Sequence, residues 1–374
     1  MIIGIDMYPQ MIFKTGVRVV IDNLLQNLRA LYPEHEFVEL RPRATPLSTK
    51  RHSYGRKIYN HLQRIIWTQV GLPLRAKRAG CDVLLCTCHF SPFIQPIPTV
   101  TLFYDMAIWR HPNWYNKLWF ILNRVFAEWP SHYNKHIITI SEDAKKDIVQ
   151  IFGISPNKVT SAYLGVDLPV VSNENDIDVL KQYHISTENP YIFYIGPAIK
   201  HKNLTRLVQA FAILRQRLPK KSLQLVICGP HTNTHGKDNV GEIRGVIDQY
   251  KLDEYVHFTG FVPREHCSIL YRNAALYAFP SLFEGFGLPM VEAMASGIPI
   301  VASNRTSLPE IGGDVAVYFD PLDVNSMVDA MYQVLTQPEL REKMINGGLE
   351  RAKLFTWERM ASIYMDVFRR ITAS

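Results

Sequence analysis

Two carboxylates, Glu284 and Glu292, flank a glycine turn in Pro280-Ser281-Leu282-Phe283-Glu284-Gly285-Phe286-Gly287-Leu288-Pro289-Met290-Val291-Glu292-Ala293. A strand ends at Phe279 or Pro280, and a helix opens near Leu288. Gly285 and Gly287 let the backbone approach a ligand closely. Amides at a helix start bind phosphate or sugar oxygens, and Pro289 suits the first turn, where its missing N–H is not needed. With Glu284 on the loop and Glu292 a turn into the helix, the two carboxylates can meet different hydroxyls of one long ligand. A glycine turn with two solvated glutamates is the alternative.

A second loop, Gly196-Pro197-Ala198-Ile199-Lys200-His201-Lys202-Asn203-Leu204, also follows a strand. Cations beside a helix start favour a diphosphate by two independent means. The glycine spacing is not that of a Walker loop. A polar loop with Asn203 as helix cap is the other reading. Three further groups are weaker. Asp105 and His111 could pair in catalysis, or His111-Pro112 could mark a turn. Cys81, Cys86, Cys88 and His89 could bind a metal, but Cys86 and Cys88 alternate along a strand and read as buried thiols. Tyr54 to Trp67 mixes basic and aromatic residues, yet no nucleic-acid module is present, so nucleic acid is not an expected partner.

These loops need strands and helices to hold them. In the first half, strands are expected at 2–5, 36–40, 83–86, 99–103, 136–140 and 159–163. A loop runs from the first strand to Gly16, then a helix over 17–31. Another loop spans 41–57, followed by helices over 58–79, broken near Gly71-Leu72-Pro73, and over 116–133. Ser141 caps the next helix, with Glu142 and Asp143 in its positive first turn. Residues 168–189 read as an acidic, irregular linker. The pattern then restarts, with strands at 191–195, 223–228, 256–258, 276–279 and 300–302. Helices alternate with them at 204–218, 241–250, 265–272 and 288–296, and further helices cover 324–335, 339–353 and 360–371. Such alternation argues for α/β units with doubly wound parallel sheets. Ligands of such sheets bind beyond the carboxyl ends of the strands.

The length of 374 residues suits two domains. The first 172 residues carry 20 Lys+Arg against 12 Asp+Glu, and the rest carry 21 against 22. From Arg41 to Cys81 there are ten basic residues and no acidic one, a field that attracts anions. Ile58, Leu62, Ile65, Ile66 and Trp67 could form an apolar face beside these charges, as suits the plane of an anionic membrane. A helix packed on its own sheet is the alternative. No run reaches the roughly 18 apolar residues of a spanning helix, and the first residues lack the pattern of a signal peptide. Five scattered cysteines fit reduced thiols. The expected location is the cytoplasm, peripheral on the inner membrane face where the basic stretch makes contact.

Together these segments resemble the retaining glycosyltransferases of family four, which have the GT-B fold. The matching pieces are Gly16, "ITISEDAKKDI" with Ser141, Gly165-Val166-Asp167, "YIGPAIKHKNLTRLVQAF", "VHFTGFV", "FPSLFEGFGLPMVEAMASGIPIVAS", "SLPEIGGDVAVYFDP" and "FTWERMA". They follow the family's order over nearly the whole chain and are more specific in the second half. The resemblance implies two Rossmann-like domains facing a cleft. Residues 1–172 would bind the acceptor and 173–355 the nucleotide sugar, and 356–374 would form a helix packing back on the first domain. Glu284 would touch the donor sugar near the reacting carbon. Amides of Phe286, Gly287 and Leu288 would hold sugar and phosphate. Glu292 would bind both ribose hydroxyls, Lys202 would neutralise the diphosphate, and the backbone near Val262 would contact the base. Gly16 would let the first domain's loop close over the diphosphate.

Two departures stand out. Relatives carry His-Asp where this chain has Tyr104-Asp105. The hydrogen bond to the sugar would come from the phenol or be lost, and Tyr104 as core packing is the other reading. Relatives also place Arg beside the phosphate lysine, where this chain has His201, a cation only when protonated. The implied function is a retaining hexosyltransferase of polysaccharide or O-antigen assembly, acting on a glycan or lipid-linked acceptor. "NRTSLPEIGGDVAVYFDP" is nearest to mannosyl- and rhamnosyltransferase-like members, which makes GDP-mannose the expected donor substrate. No cofactor and no metal are expected. A sugar-nucleotide epimerase, a phosphorylase and a non-catalytic nucleotide-sugar-binding protein are the alternatives.

Overall fold

Short buried apolar runs alternating with amphipathic ones produce two parallel sheets. In this computed structural model, the structure describes residues 1–12, 16–42, 54–167, 175–219, 222–230 and 239–373. The chain divides into two compact units, Met1–Gly165 with Thr356–Ser374, and Val166–Phe355. The expected boundary at 172/173 lies outside the described residues.

In the first unit, β1 (Ile2–Asp6), β2 (Glu36–Leu40), β3 (Val83–Cys86), β4 (Thr99–Phe103), β5 (His136–Thr139) and β6 (Val159–Ser161) form one sheet. Its order is β2-β1-β3-β4-β5-β6, and every neighbouring pair is parallel. β3 and β4 are buried throughout, because helices cover both faces of such a sheet. The closing helix Trp357–Thr372 packs on the helix Gly16–Leu31. Its buried Trp357, Met360, Tyr364, Phe368 and Ile371 recur at helical spacing, each apolar side chain contributing roughly 1.5–3 kcal/mol. Thr356 caps it, accepting from Arg359 N at 3.1 Å.

In the second unit, β7 (Tyr191–Ile195), β8 (Gln224–Cys228), β9 (Val256–Gly260), β10 (Leu276–Phe279), β11 (Ile300–Ser303) and β12 (Ala316–Phe319) form the other sheet. The order is β12-β11-β10-β7-β8-β9, again parallel. The strand order reverses between β7 and β10. This is the switch point at which doubly wound sheets bind ligands.

Several local expectations change. The stretch 168–189 is not an irregular linker over its described part. Asn175 caps the helix Asp176–Gln182, accepting from Ile177 N at 2.9 Å, and Asp176 forms an ion pair with Arg272. Two acidic residues in that first turn are a helix signal. Tyr8–Ile12 is a short helix rather than a loop, and Leu308–Gly312 and β12 were not anticipated. The chain does not break at Gly71: a π turn, Trp67–Gly71, joins the helices Tyr54–Ile66 and Leu72–Arg78. Gly71 presses on Trp67, since a Cβ there would stand 2.7 Å from the indole. The expected loop over 43–53 lies outside the described residues.

Candidate active site

The two glycine-containing loops leave the strands that flank the switch point of the second unit. After β7, Gly196 has φ 151°, and a Cβ there would meet the Tyr194 hydroxyl at 2.5 Å. The turn Lys200–Lys202 ends at Asn203, which is left-handed at φ 60°, a conformation Asn tolerates. Asn203 caps nothing with its side chain. Its Nδ2 instead donates to Pro280 O at 3.1 Å and Pro321 O at 2.7 Å. Leu282 N donates to His201 O at 2.8 Å. These bonds tie the loop after β7 to the loop after β10, and Lys202 Nζ reaches Glu284 Oε1 at 2.5 Å. Lys200 turns away to the exposed Glu242. His201 is half-buried beside Lys202.

Gly287 precedes the helix Leu288–Ala295 with φ 99°, and a Cβ would strike Leu308 at 2.7 Å. Phe286 is buried, its ring set edge-on to Phe355. Among the described residues, no protein acceptor meets the amides of Gly287 and Leu288. Glu292 lies on the same helix. Burial pushes its carboxyl above the usual range, opposed by the Tyr271 hydroxyl, which donates to Oε2 at 2.9 Å. Val262 is buried and its carbonyl accepts from Cys267 Sγ at 3.6 Å. The turn therefore offers a cation, two carboxylates and unpaired amides over a short span, as a diphosphate joined to a sugar and a ribose would require.

In the first unit, Gly16 is exposed, and a Cβ there would meet nothing within 4 Å. Internal packing therefore does not require its glycine. Tyr104 follows β4. Its hydroxyl is enclosed without a partner among the described residues, and burial raises its pKa well above the phenol range, with Tyr364 and Cys88 adding to this. Asp105 accepts from Ala107 N at 2.9 Å at the start of a short turn of helix. His111 stacks on Trp114 at 4.0 Å, in agreement with a turn there.

A buried polar cluster not anticipated from the sequence occupies the carboxyl ends of β1 and β3, the switch point of this sheet. Asp6 Oδ1 accepts from Trp67 Nε1 at 2.8 Å and Tyr8 N at 3.0 Å. Burial raises its pKa to about 6, against the pull of those bonds and of Arg64. Arg64 is buried, donates to Cys88 Sγ at 3.5 Å and lies 3.9 Å from the Phe90 ring centre. Burial also lowers His89 to about 3. The only sequence signal was an acid ending β1, because the side chains it meets, Trp67 and Arg64, lie about sixty positions away. Among the described residues, no three His, Cys, Asp or Glu converge as metal ligands. The chain has one Asp-x-Asp, Asp176-Ile177-Asp178. Its Asp176 is committed to Arg272 and Asn273.

The chain is similar to known glycosyltransferases in sequence and in fold. A family model described as Glycosyl transferases group 1 matches residues 176–351, and one described as Glycosyltransferase Family 4 matches residues 14–169. O-antigen chain mannosyltransferase B of Escherichia coli is 30% identical over 281 residues, 72% of this chain and 70% of that protein. MMP alpha-(1->4)-mannosyltransferase of Mycolicibacterium hassiacum is 29% identical over 272 residues, 71% of this chain and 60% of that protein. Sucrose-phosphate synthase from Thermosynechococcus elongatus superimposes with a TM-score of 0.76 at 17% identity, over 100% of this chain and 99% of that one. The chain belongs to the group 1 glycosyltransferases of family 4, with two Rossmann-like α/β domains and a C-terminal helix.

Proposed function

We propose that this glycosyltransferase is a retaining, metal-independent hexosyltransferase that takes mannose from GDP-mannose. The acceptor is a glycan or a lipid-linked glycan of polysaccharide or O-antigen assembly. The observation that carries the reading is the meeting of Lys202 and Glu284 at the switch point of the second sheet. The mannosyltransferase names of two relatives support the choice of sugar.

In this reading, Glu284 accepts from the sugar hydroxyls and Lys202 neutralises the charge that develops on the departing diphosphate. Amides of the turn through Phe286, Gly287 and Leu288 hold sugar and phosphate oxygens, and Glu292 accepts from the ribose. The bond from the anomeric carbon to the phosphate oxygen breaks, and the acceptor oxygen bonds to that carbon on the same face. The acceptor proton passes to the departing phosphate. Gly196 and His201 shape the phosphate turn, and Val262 borders the base. In the first unit, Gly16 serves the diphosphate and Asp105 the sugar side, while Tyr104, its hydroxyl enclosed, packs behind that side.

The cytoplasmic face of an anionic membrane is the proposed workplace. Leu62, Ile66, Val70 and Leu74 stand exposed about one turn apart, Ile66 at 62%. Trp67 is no part of this face, being buried against Asp6. Ile65 is half-buried, and the Ile58 side chain lies outside the described residues. Arg75, Lys77 and Arg78 close the same helical run, and the pairing of apolar stripe with cations fits an anionic interface. Among the described residues, no helix is long and apolar enough to cross a membrane.

Thermal stabilisation by GDP, UDP, dTDP and their sugars tests the donor, because a ligand bound to the native state raises the melting temperature. GDP and GDP-mannose should give the largest shifts. A larger shift with UDP or dTDP would replace the donor, and no shift with any nucleotide would remove the donor site.

A further inference from the structure

Glu284 is held from behind by the residues after β11. Thr306 has φ 52°, the left-handed region in which a β-branched residue is an outlier. In that conformation its Oγ1 accepts from Glu284 N at 3.1 Å. The next residue, Ser307, is fully buried. Its Oγ lies 3.0 Å from Glu284 O and 3.0 Å from Phe286 O, donating its proton to one of these carbonyls. Hydroxyls of one dipeptide thus lie against the peptide groups on both sides of the Glu284 Cα. Just beyond, Gly287 presses on Leu308 of the same segment. These contacts and the close approach together over-determine the loop, which is the condition for backbone strain to persist, and such strain gathers at ligand clamps.

We propose that Thr306 is a positioning residue for the donor sugar: its left-handed backbone aims its hydroxyl at the Glu284 amide and so sets the line along which the Glu284 carboxylate meets the sugar. The proposal rests on the reading of Glu284 as the residue that contacts the sugar. Ser307 supports the same loop but sits deeper, so Thr306 can be varied with less effect on packing. Its hydroxyl and its backbone are separable: serine keeps the hydroxyl, alanine removes it, and glycine removes both hydroxyl and strain.

The full chain and its Thr306→Ser, Thr306→Ala and Thr306→Gly variants are compared by melting temperature without ligand. Each is then compared by the ratio of Kd values for GDP and GDP-mannose, with UDP and UDP-glucose as a second pair. That ratio reads what the sugar adds to binding. Thr306→Gly should melt above Thr306→Ala, because glycine adopts the left-handed backbone without a Cβ penalty. Thr306→Ser should keep the wild-type ratio within about twofold, while both variants without a hydroxyl lose about tenfold of it through misplacement of the carboxylate. A wild-type ratio in Thr306→Ala, or a loss in Thr306→Ser equal to that in Thr306→Ala, overturns the proposal. If the wild-type chain binds neither nucleotide sugar better than its diphosphate, the reading of Glu284 itself has failed, and the proposal with it.

Discussion

Lys202 Nζ lies 2.5 Å from Glu284 Oε1 across 82 positions of sequence, and the side chains keep only 16% and 12% of their exposure. Each charge holds the other in place at the proposed donor site. Removing one leaves the other enclosed and uncompensated, which is costly in a partly buried pair. Lys202→Ala should therefore weaken nucleoside diphosphate binding by about ten- to a hundredfold. Glu284→Ala should lower turnover by roughly 10²-fold or more with the fold intact. Calorimetric titration and initial rates measure both. Unchanged diphosphate affinity in the first would remove Lys202 from the site, and near-normal turnover in the second would remove Glu284.

Glu292 depends on Tyr271, whose buried hydroxyl donates to its Oε2 at 2.9 Å. Loss of that bond frees the carboxylate to rotate. Tyr271→Phe should weaken binding of a ribonucleoside diphosphate by about ten- to a hundredfold, the worth of a hydrogen bond to a charged group. The same variant should bind the 2′,3′-dideoxy nucleoside diphosphate as the wild type does. An equal loss for both nucleotides would show a general packing defect instead of a role at the ribose.

Asp6 supplies a pH signature of the first unit. Its folded pKa of about 6 exceeds the ordinary aspartate value of 3.8, so the native state holds the proton longer than the unfolded chain. Its contribution to stability is therefore full below about pH 4 and is lost as pH rises through about 6, a change of ~3 kcal/mol. His89, lowered to about 3 by burial, acts in the opposite sense and loses stability as pH falls below about 6.5. Total stability mixes the two, so the informative quantity is the difference between the wild type and Asp6→Asn, which can still accept from Trp67 and Tyr8. Denaturant unfolding from pH 4 to 7 should show the variant gaining on the wild type as pH rises. Parallel curves would mean that Asp6 titrates at its unfolded value.

The exposed stripe predicts surface binding. Leu62→Glu and Ile66→Glu remove apolar area and add charge of the wrong sign at positions 54% and 62% exposed. Binding to vesicles containing phosphatidylglycerol should fall by about tenfold or more, with melting temperature unchanged. Wild-type binding should also weaken as salt is raised. Equal sedimentation of wild type and variants with these vesicles would place the membrane contact elsewhere or nowhere.

Much of this molecule was legible along the chain because its signals are local. Apolar runs of strand length, helical spacing in 360–371, Ser141 accepting from Ala144 N and the Gly287-Leu288-Pro289 helix start each depend on neighbours within a turn or two. Asn175 with Asp176 and Asp178 was as local a signal, yet it sat in a polar stretch that read as linker. Other features have no local signal. Thr306, Ser307 and Asn203 are ordinary loop residues until the sheet brings the ends of β7, β10 and β11 together. Trp67 reads as part of an apolar membrane face, but it falls on the buried face of the helical run with Arg64 and Thr68 and donates to Asp6. The alternating elements, the glycine turns and the residue types of the proposed donor site can be read along the chain, because backbone preference and side-chain chemistry act over a few residues. Folding is needed to show that Lys202 meets Glu284, that Thr306 bonds its amide, and that Asp6 and Arg64 share the switch point of the first sheet. Those contacts follow from which parallel strands lie side by side, and that pairing joins residues far apart in the chain.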